Sequence, residues 1–176
     1  VIPVEYPKVG EPPSPARIGV VNITTGQTKW MKVPGEPDQN YLIRMEWAGA
    51  GEIILQQLNR RQNESKLMLC NTSTGDAKVI YTETDKAWVA TINEWRSEVR
   101  GWDWISNRNE FLWLSEKDGW RHLYRVSKDG KKEMLITKGN YDVIDLLNID
   151  EKNGLVYFYA SPTNATQRFL YAARLD

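Results

Sequence analysis

The chain has 176 residues, 41% of them hydrophobic and 26% charged, which suits a globular domain with a real core and is too apolar for a disordered tail. Lys plus Arg and Asp plus Glu both number 23, so the formal net charge is zero and no whole-chain field favours nucleic acid or an anionic membrane surface. The one cysteine, Cys70, excludes an intrachain disulfide and a Cys-cluster zinc site, and beside Leu67, Met68 and Leu69 it reads as a buried, inert thiol.

Apolar stretches reach only about five or six residues against the ~20 of a spanning helix, so no membrane crossing by a helix is expected. The chain opens Val1-Ile2-Pro3-Val4 without a basic or apolar leader and without Met, and is expected to be a segment of something longer. From there, short apolar runs alternate with Gly, Asn, Asp and Pro turns, and no 3.6-residue stripe is long enough for a helix. Strands are predicted at 16–22, 27–33, 41–48, 52–58, 66–71, 77–82, 101–105, 110–115, 121–127, 132–137, 142–149, 154–160 and 168–174. Eight Trp and eight Tyr, set among β-branched neighbours, favour the same assignment.

The order of these runs repeats. Asn22-Ile23-Thr24-Thr25-Gly26 and Asn71-Thr72-Ser73-Thr74-Gly75 share the frame N-x-x-T-G, and Asp129-Gly130 fills the same slot. These glycines lie 49 and 55 residues apart. The strands opening at Glu52, Glu110 and Leu155 each follow a tight turn: Gly49-Ala50-Gly51, Asn107-Arg108-Asn109 and Lys152-Asn153-Gly154. Four strands per ~40–50 residues describe a β-propeller blade. The expected fold is therefore all-β, a partial propeller of about three four-stranded antiparallel blades in an open ring. Within a single partial propeller domain, 1–40 hold a linker and the end of one blade, and 41–100 a full blade with a long exit loop. Residues 101–141 hold a second full blade, and 142–176 an incomplete one. Open aromatic faces and the 168–174 edge point to a homo-oligomer.

Alternating strand direction puts the turns 59–65, 117–121 and 162–167 and the exit 83–100 at one end of their blades, and the Thr-Gly and Asp-Gly hairpins at the other. The long exit carries Trp88 and Trp95 among charges; it either packs over a seam or contacts a substrate or partner. His122, the one histidine, has no G-x-S-x-G, H-E-x-x-H or phosphate loop to work with, so a structural role is favoured and neither a metal nor a cofactor is expected. Asp150-Glu151, Glu116 and Asp118 read as solvated turn carboxylates. The N-x-[ST] sequons at Asn22, Asn63, Asn71 and Asn164 lie near predicted turns.

Specific blocks occur in order: Tyr6-Pro7-Lys8-Val9-Gly10, Tyr41-Leu42-x-Arg44-x-x-Trp47, Leu58-Asn59-Arg60-Arg61-Gln62-Asn63, Trp88-Val89, and Phe111-Leu112-Trp113-x-Ser115-Glu116-Lys117-Asp118-Gly119-Trp120-Arg121-His122-Leu123-Tyr124. Thr137-Lys138-Gly139-x-Tyr141-x-Val143, Val156-Tyr157-Phe158 and Leu170-Tyr171 follow. This series resembles the N-terminal propeller of dipeptidyl peptidase IV, in the prolyl oligopeptidase family, over nearly the whole chain. The resemblance implies a parent serine exopeptidase in which an eight-bladed propeller caps an α/β-hydrolase domain and dipeptides with Pro or Ala second are released from peptide N-termini. The family's Glu-Glu pair, which holds the substrate amine, lies upstream of the Tyr-Pro-Lys block, and its nucleophile domain would follow Asp176. No catalytic residue is thus carried over. The segment after Trp-Val lines the cavity in the family, which implies a substrate-cavity face at Trp88, Thr91, Ile92 and Trp95. Peptide substrate would be met through the hydrolase domain. A lone cysteine, where animal members carry propeller disulfides, implies a bacterial parent in the cell envelope, the periplasm or outside the cell. The expected role is gating of substrate access with domain or dimer contact; a free-standing interaction module without peptidase activity is the alternative.

Overall fold

The computed structural model describes residues 9–11, 14–91 and 102–176. Its described residues form two compact units, the first drawn from those up to 82 with 86–88 and the second from 83–85 with those from 89 on. Among the described residues all regular structure is β apart from one 3-10 turn at Ser106–Arg108.

In the first unit β1 (Gly19–Val21) pairs with β2 (Thr28–Trp30) as a two-stranded antiparallel ribbon. A four-stranded meander follows: β3 (Asn40–Gly49), β4 (Glu52–Asn59), β5 (Glu64–Asn71) and β6 (Ala77–Thr84). Its core joins Met31 to Ile53, Leu55, Met68 and Cys70, with Ile18, Val20, Val33, Leu42 and Ala77 packed against them. These side chains come from alternate positions of β4 and β5, as a period-2 pattern requires. β4 is buried from Ile53 through Leu58 on both faces, and its two buried amides, one on each face, are satisfied. Gln56 donates to Ser65 Oγ at 3.0 Å and Gln57 to the Pro34 carbonyl at 2.8 Å.

The N-x-x-T-G repeat proves to be a hydrogen-bonding device. Asn22 Oδ1 accepts from the N–H groups of Thr24 and Thr25, at 2.9 and 3.1 Å, and Asn71 Oδ1 accepts from those of Ser73 and Thr74, at 2.9 and 3.0 Å. Gly26 and Gly75 close the two turns with N–H bonds of 2.8 Å to the Asn22 and Asn71 carbonyls, at φ +72° and +80°. An amide that folds back on its own turn, followed by a residue that enters the left-handed region freely, fixes the hairpin register.

The second unit holds a four-stranded meander of β7 (Trp102–Ile105), β8 (Glu110–Ser115), β9 (His122–Ser127) and β10 (Glu133–Leu135). A three-stranded one follows, β11 (Val143–Asp150), β12 (Leu155–Ala160) and β13 (Phe169–Arg174). Leu112, Leu114 and Leu123 of the first sheet pack with Val143, Leu146, Val156, Phe158 and Ala160 of the second. Trp102 meets Trp113 edge to face at 6.3 Å, and Trp104 meets Phe111 at 5.8 Å. The turn from β7 to β8 places Ser106, Asn107 and Arg108 all at positive φ, between +53° and +63°. Such a run of non-glycine residues is strained. Glu151 compensates, its carboxylate accepting the Ser106 N–H at 2.7 Å, while Ser106 Oγ donates to Glu110 at 2.8 Å.

The two-, four-, four- and three-stranded antiparallel sheets follow the expected strand order one for one.

Candidate functional site

The turn between β4 and β5 is built by Asn59. Its Oδ1 accepts the N–H groups of Asn63 and Glu64 at 3.0 and 3.1 Å, and its Nδ2 donates to Asn63 Oδ1 at 2.7 Å. Arg60 donates to the Tyr41 hydroxyl, its guanidinium 5.6 Å from that ring's centre. The Leu58-to-Asn63 block and Tyr41 are therefore one local structure, with Asn63 of the sequon inside it.

In the second unit a polar cluster sits where β8 and β9 meet their connecting turn. Glu83, itself part of the second unit, supplies its carboxylate. Its two carboxylate oxygens accept from Trp113 Nε1 at 2.6 Å and from Ser115 Oγ at 2.7 Å. Ser115 Oγ in turn accepts the Lys117 N–H at 3.2 Å. Asp118, exposed as a residue, has its carboxylate committed: it lies 2.7 Å from His122 Nδ1, accepts the Trp120 N–H at 3.2 Å and is bonded by the Tyr124 hydroxyl. Burial pushes the Asp118 carboxyl up, but the His122, Tyr124 and Trp120 hydrogen bonds outweigh it and hold the group below its ordinary range. Burial, reinforced by that same carboxylate, drives the Tyr124 phenol well above its usual value. Lys117 lies 3.9 Å over the Tyr124 ring and pairs with Glu133.

Ser115 and His122 are direct cross-strand partners, and Asp118 sits behind the histidine. These are the residue types of a nucleophilic triad, wired otherwise. The Ser115 hydroxyl is spent on Glu83, while His122 Nε2 is buried without a partner among the described residues. Both residues are inaccessible, at 3% and 2% exposure. A working triad needs the serine oxygen bonded to the histidine and open to substrate. His122 is thus anchored by Asp118 through Nδ1, with no partner for Nε2 among the described residues. Its ring lies edge-on to Tyr141 at 5.8 Å, and Tyr141 stacks on Tyr171, which stacks on Phe158.

Of the expected cavity-face residues, Trp88 is 68% exposed and Thr91 is exposed, with Val89 buried between them. Ile92 and Trp95 lie outside the described residues, as does most of the exit loop. Glu83 was not singled out by its sequence; an acidic residue two positions beyond Tyr81, on the same face of an apolar strand, is the one local signal it offers. Among the described residues no group of His, Cys, Asp and Glu side chains is arranged to hold a metal.

Antiparallel meanders of up to four strands, recurring about every 50 residues without a closed barrel, define part of a β-propeller. Residues 1–176 match the dipeptidyl peptidase IV N-terminal region, and the chain belongs to that family. Dipeptidyl peptidase 4 of Trichophyton rubrum is 27% identical over 98% of the chain and 22% of the fungal protein. The crystal structure of Porphyromonas gingivalis dipeptidyl peptidase 4 superposes with a TM-score of 0.82 at 28% identity, over 96% of this chain and 23% of that one. A prolyl endopeptidase structure shares the fold at 12% identity, with a TM-score of 0.53 over 85% of this chain and 23% of its own. The chain thus spans about a fifth of the length of the dipeptidyl peptidases it resembles.

Proposed function

We propose that this chain is the non-catalytic propeller segment of a serine dipeptidyl peptidase that removes Xaa-Pro or Xaa-Ala dipeptides from peptide N-termini, in the cell envelope or outside the cell. The family match across all 176 residues carries this reading. The separate carboxylate partners of Ser115 and His122 support the non-catalytic part, since the hydroxyl donates to Glu83 and, among the described residues, no serine hydroxyl bonds the one histidine of the chain. In this reading the exit segment after β6, with Trp88 and Thr91 exposed, forms part of the cavity wall that limits which peptides enter. Exposed Met45, Trp47, Phe169 and Leu170 favour self-association of residues 1–176, which light scattering would register.

The test is hydrolysis of a chromogenic Gly-Pro amide. The full-length gene product should cleave it and lose that activity to a serine-directed inhibitor, while residues 1–176 alone leave it intact. Cleavage by the isolated chain, or none by the full-length protein, would overturn the reading.

A further inference from the structure

We propose that Asn153 is a site of spontaneous covalent modification, converting to aspartate and isoaspartate through a succinimide, and that the Asp150 carboxylate restrains the conversion in the folded protein.

Asparagine is chemically labile, most of all before glycine, where no Cβ shields the next backbone nitrogen. Asn153-Gly154 is the single such pair in the sequence. It lies in the β11–β12 turn, which the ladder pair Asp150 and Leu155 closes. Asn153 is exposed, and a Cβ on Gly154 would meet nothing within 4 Å, so the reacting pair stands in open space. The Gly154 N–H is held only by a long bond, 3.3 Å to the Glu151 carbonyl. In the reaction this nitrogen gives its proton to hydroxide and bonds to Asn153 Cγ. The Cγ–Nδ2 bond breaks and Nδ2 leaves as ammonia with a proton from water, which regenerates the hydroxide. Water then opens the ring at one of its two carbonyls, giving aspartate or, where the backbone carbonyl is cleaved, isoaspartate.

Asp150 opposes this chemistry in two ways. Its Oδ2 accepts from Asn153 Nδ2 at 2.7 Å and its Oδ1 from the Asn153 N–H at 3.1 Å, so one carboxylate grips both the side chain and the backbone of the reacting residue. An amide held by a charge-assisted bond does not turn freely to present Cγ to the next nitrogen. The attacking nitrogen also carries negative charge, which passes to the side-chain oxygen in the tetrahedral intermediate, and a carboxylate beside that amide repels it. Isoaspartate would matter to the fold, because it runs the main chain through the former side chain and lengthens it by one carbon. The extra atom falls between Glu151, whose carboxylate accepts the Ser106 N–H at 2.7 Å, and the Gly154 carbonyl, which accepts the Leu175 N–H at 2.8 Å. Modification therefore loosens two contacts that tie this hairpin to the rest of its unit.

The experiment incubates the full-length protein at pH 8, folded and, in parallel, unfolded in guanidinium chloride. Peptide mapping follows the amide-to-acid mass change at Asn153, and isoaspartate methyltransferase marks the isomer. The folded wild type should convert about tenfold or more slowly than the unfolded chain. Asp150→Ala should raise the folded-state rate about tenfold, the factor that loss of one charge-assisted hydrogen bond supplies. Asp150→Asn keeps one of the two acceptors without the charge and should raise it by less, about threefold. Should Asp150→Ala fail to fold, Asp150→Asn carries the test. An unchanged rate in the folded variants, or a rise that merely follows their unfolded fraction in a denaturant titration, overturns the restraint by Asp150. Absence of conversion at Asn153 in the unfolded chain overturns the site itself.

Discussion

Asp118 holds His122 by one nitrogen: Nδ1 lies 2.7 Å from the carboxylate, while the buried Nε2 has no hydrogen-bond partner among the described residues. The pair pins the β8–β9 turn to the start of β9, and Tyr124 adds its hydroxyl to the same carboxylate. The geometry has a consequence for pH. The folded state holds Asp118 below its ordinary pKa, so its contribution is complete above the ordinary carboxylate value near ~4 and is lost as pH falls through the depressed one.

Asp118→Asn should therefore destabilise the chain at neutral pH by about 1–2 kcal/mol, a figure reduced for the third of the side chain that water reaches. The gap to wild type should narrow as pH falls below about 4. Urea midpoints at pH 7 and at acid pH measure this; a gap that is the same at both would refute it.

The two N-x-x-T-G turns make identical hydrogen bonds but sit in different surroundings. A Cβ on Gly75 would lie 2.5 Å from the Trp30 carbonyl oxygen, whereas one on Gly26 would meet nothing within 4 Å. Gly75→Ala combines left-handed strain with a backbone clash and should cost about 2–4 kcal/mol; Gly26→Ala carries the strain alone, about 1 kcal/mol. Thermal unfolding of the two variants side by side decides it, and equal losses would mean the backbone near Trp30 yields.

Cys70 is wholly buried in the first unit's core, and burial pushes its thiol up to about 11. A thiol that is neither ionised nor reachable does not react. Ellman's reagent should leave the native chain unlabelled at pH 8 and titrate one thiol in urea. Prompt native labelling would place Cys70 outside the core.

The strand order was readable because its determinants are local. Asn22 and Gly26 make their turn with their own neighbours, and alternating apolar residues such as Ile53 and Leu55 mark their strands without outside help. Boundaries went astray where distant residues decide them. β1 and β2 are shorter than the runs 16–22 and 27–33, and Met31, Val33 and Ile18 beyond their ends pack into the core without extending the ladder. β6 extends past the predicted 82 to Thr84, where Glu83 is gripped by residues thirty and thirty-two positions further on. No local pattern could announce that grip. The turn itself was marked by Asn107 and Asn109, but the left-handed run of Ser106, Asn107 and Arg108 was not, because the Glu151 carboxylate that accepts the Ser106 N–H comes from forty-five positions further on.

Asn59 offers the sharpest dissection of a turn. Its Oδ1 holds two backbone N–H groups that the β4–β5 turn would otherwise leave without protein partners, and its Nδ2 holds Asn63. Asn59→Ala deletes all three bonds and should cost about 2–3 kcal/mol. Asn59→Asp keeps the acceptor for both N–H groups but sets a carboxylate against the Asn63 amide oxygen, which must flip its amide to offer a donor instead. The aspartate variant should therefore retain more than half of the stability that alanine loses. If both substitutions cost the same in chemical denaturation, the Nδ2–Asn63 bond, and not the backbone capping, is what holds this turn.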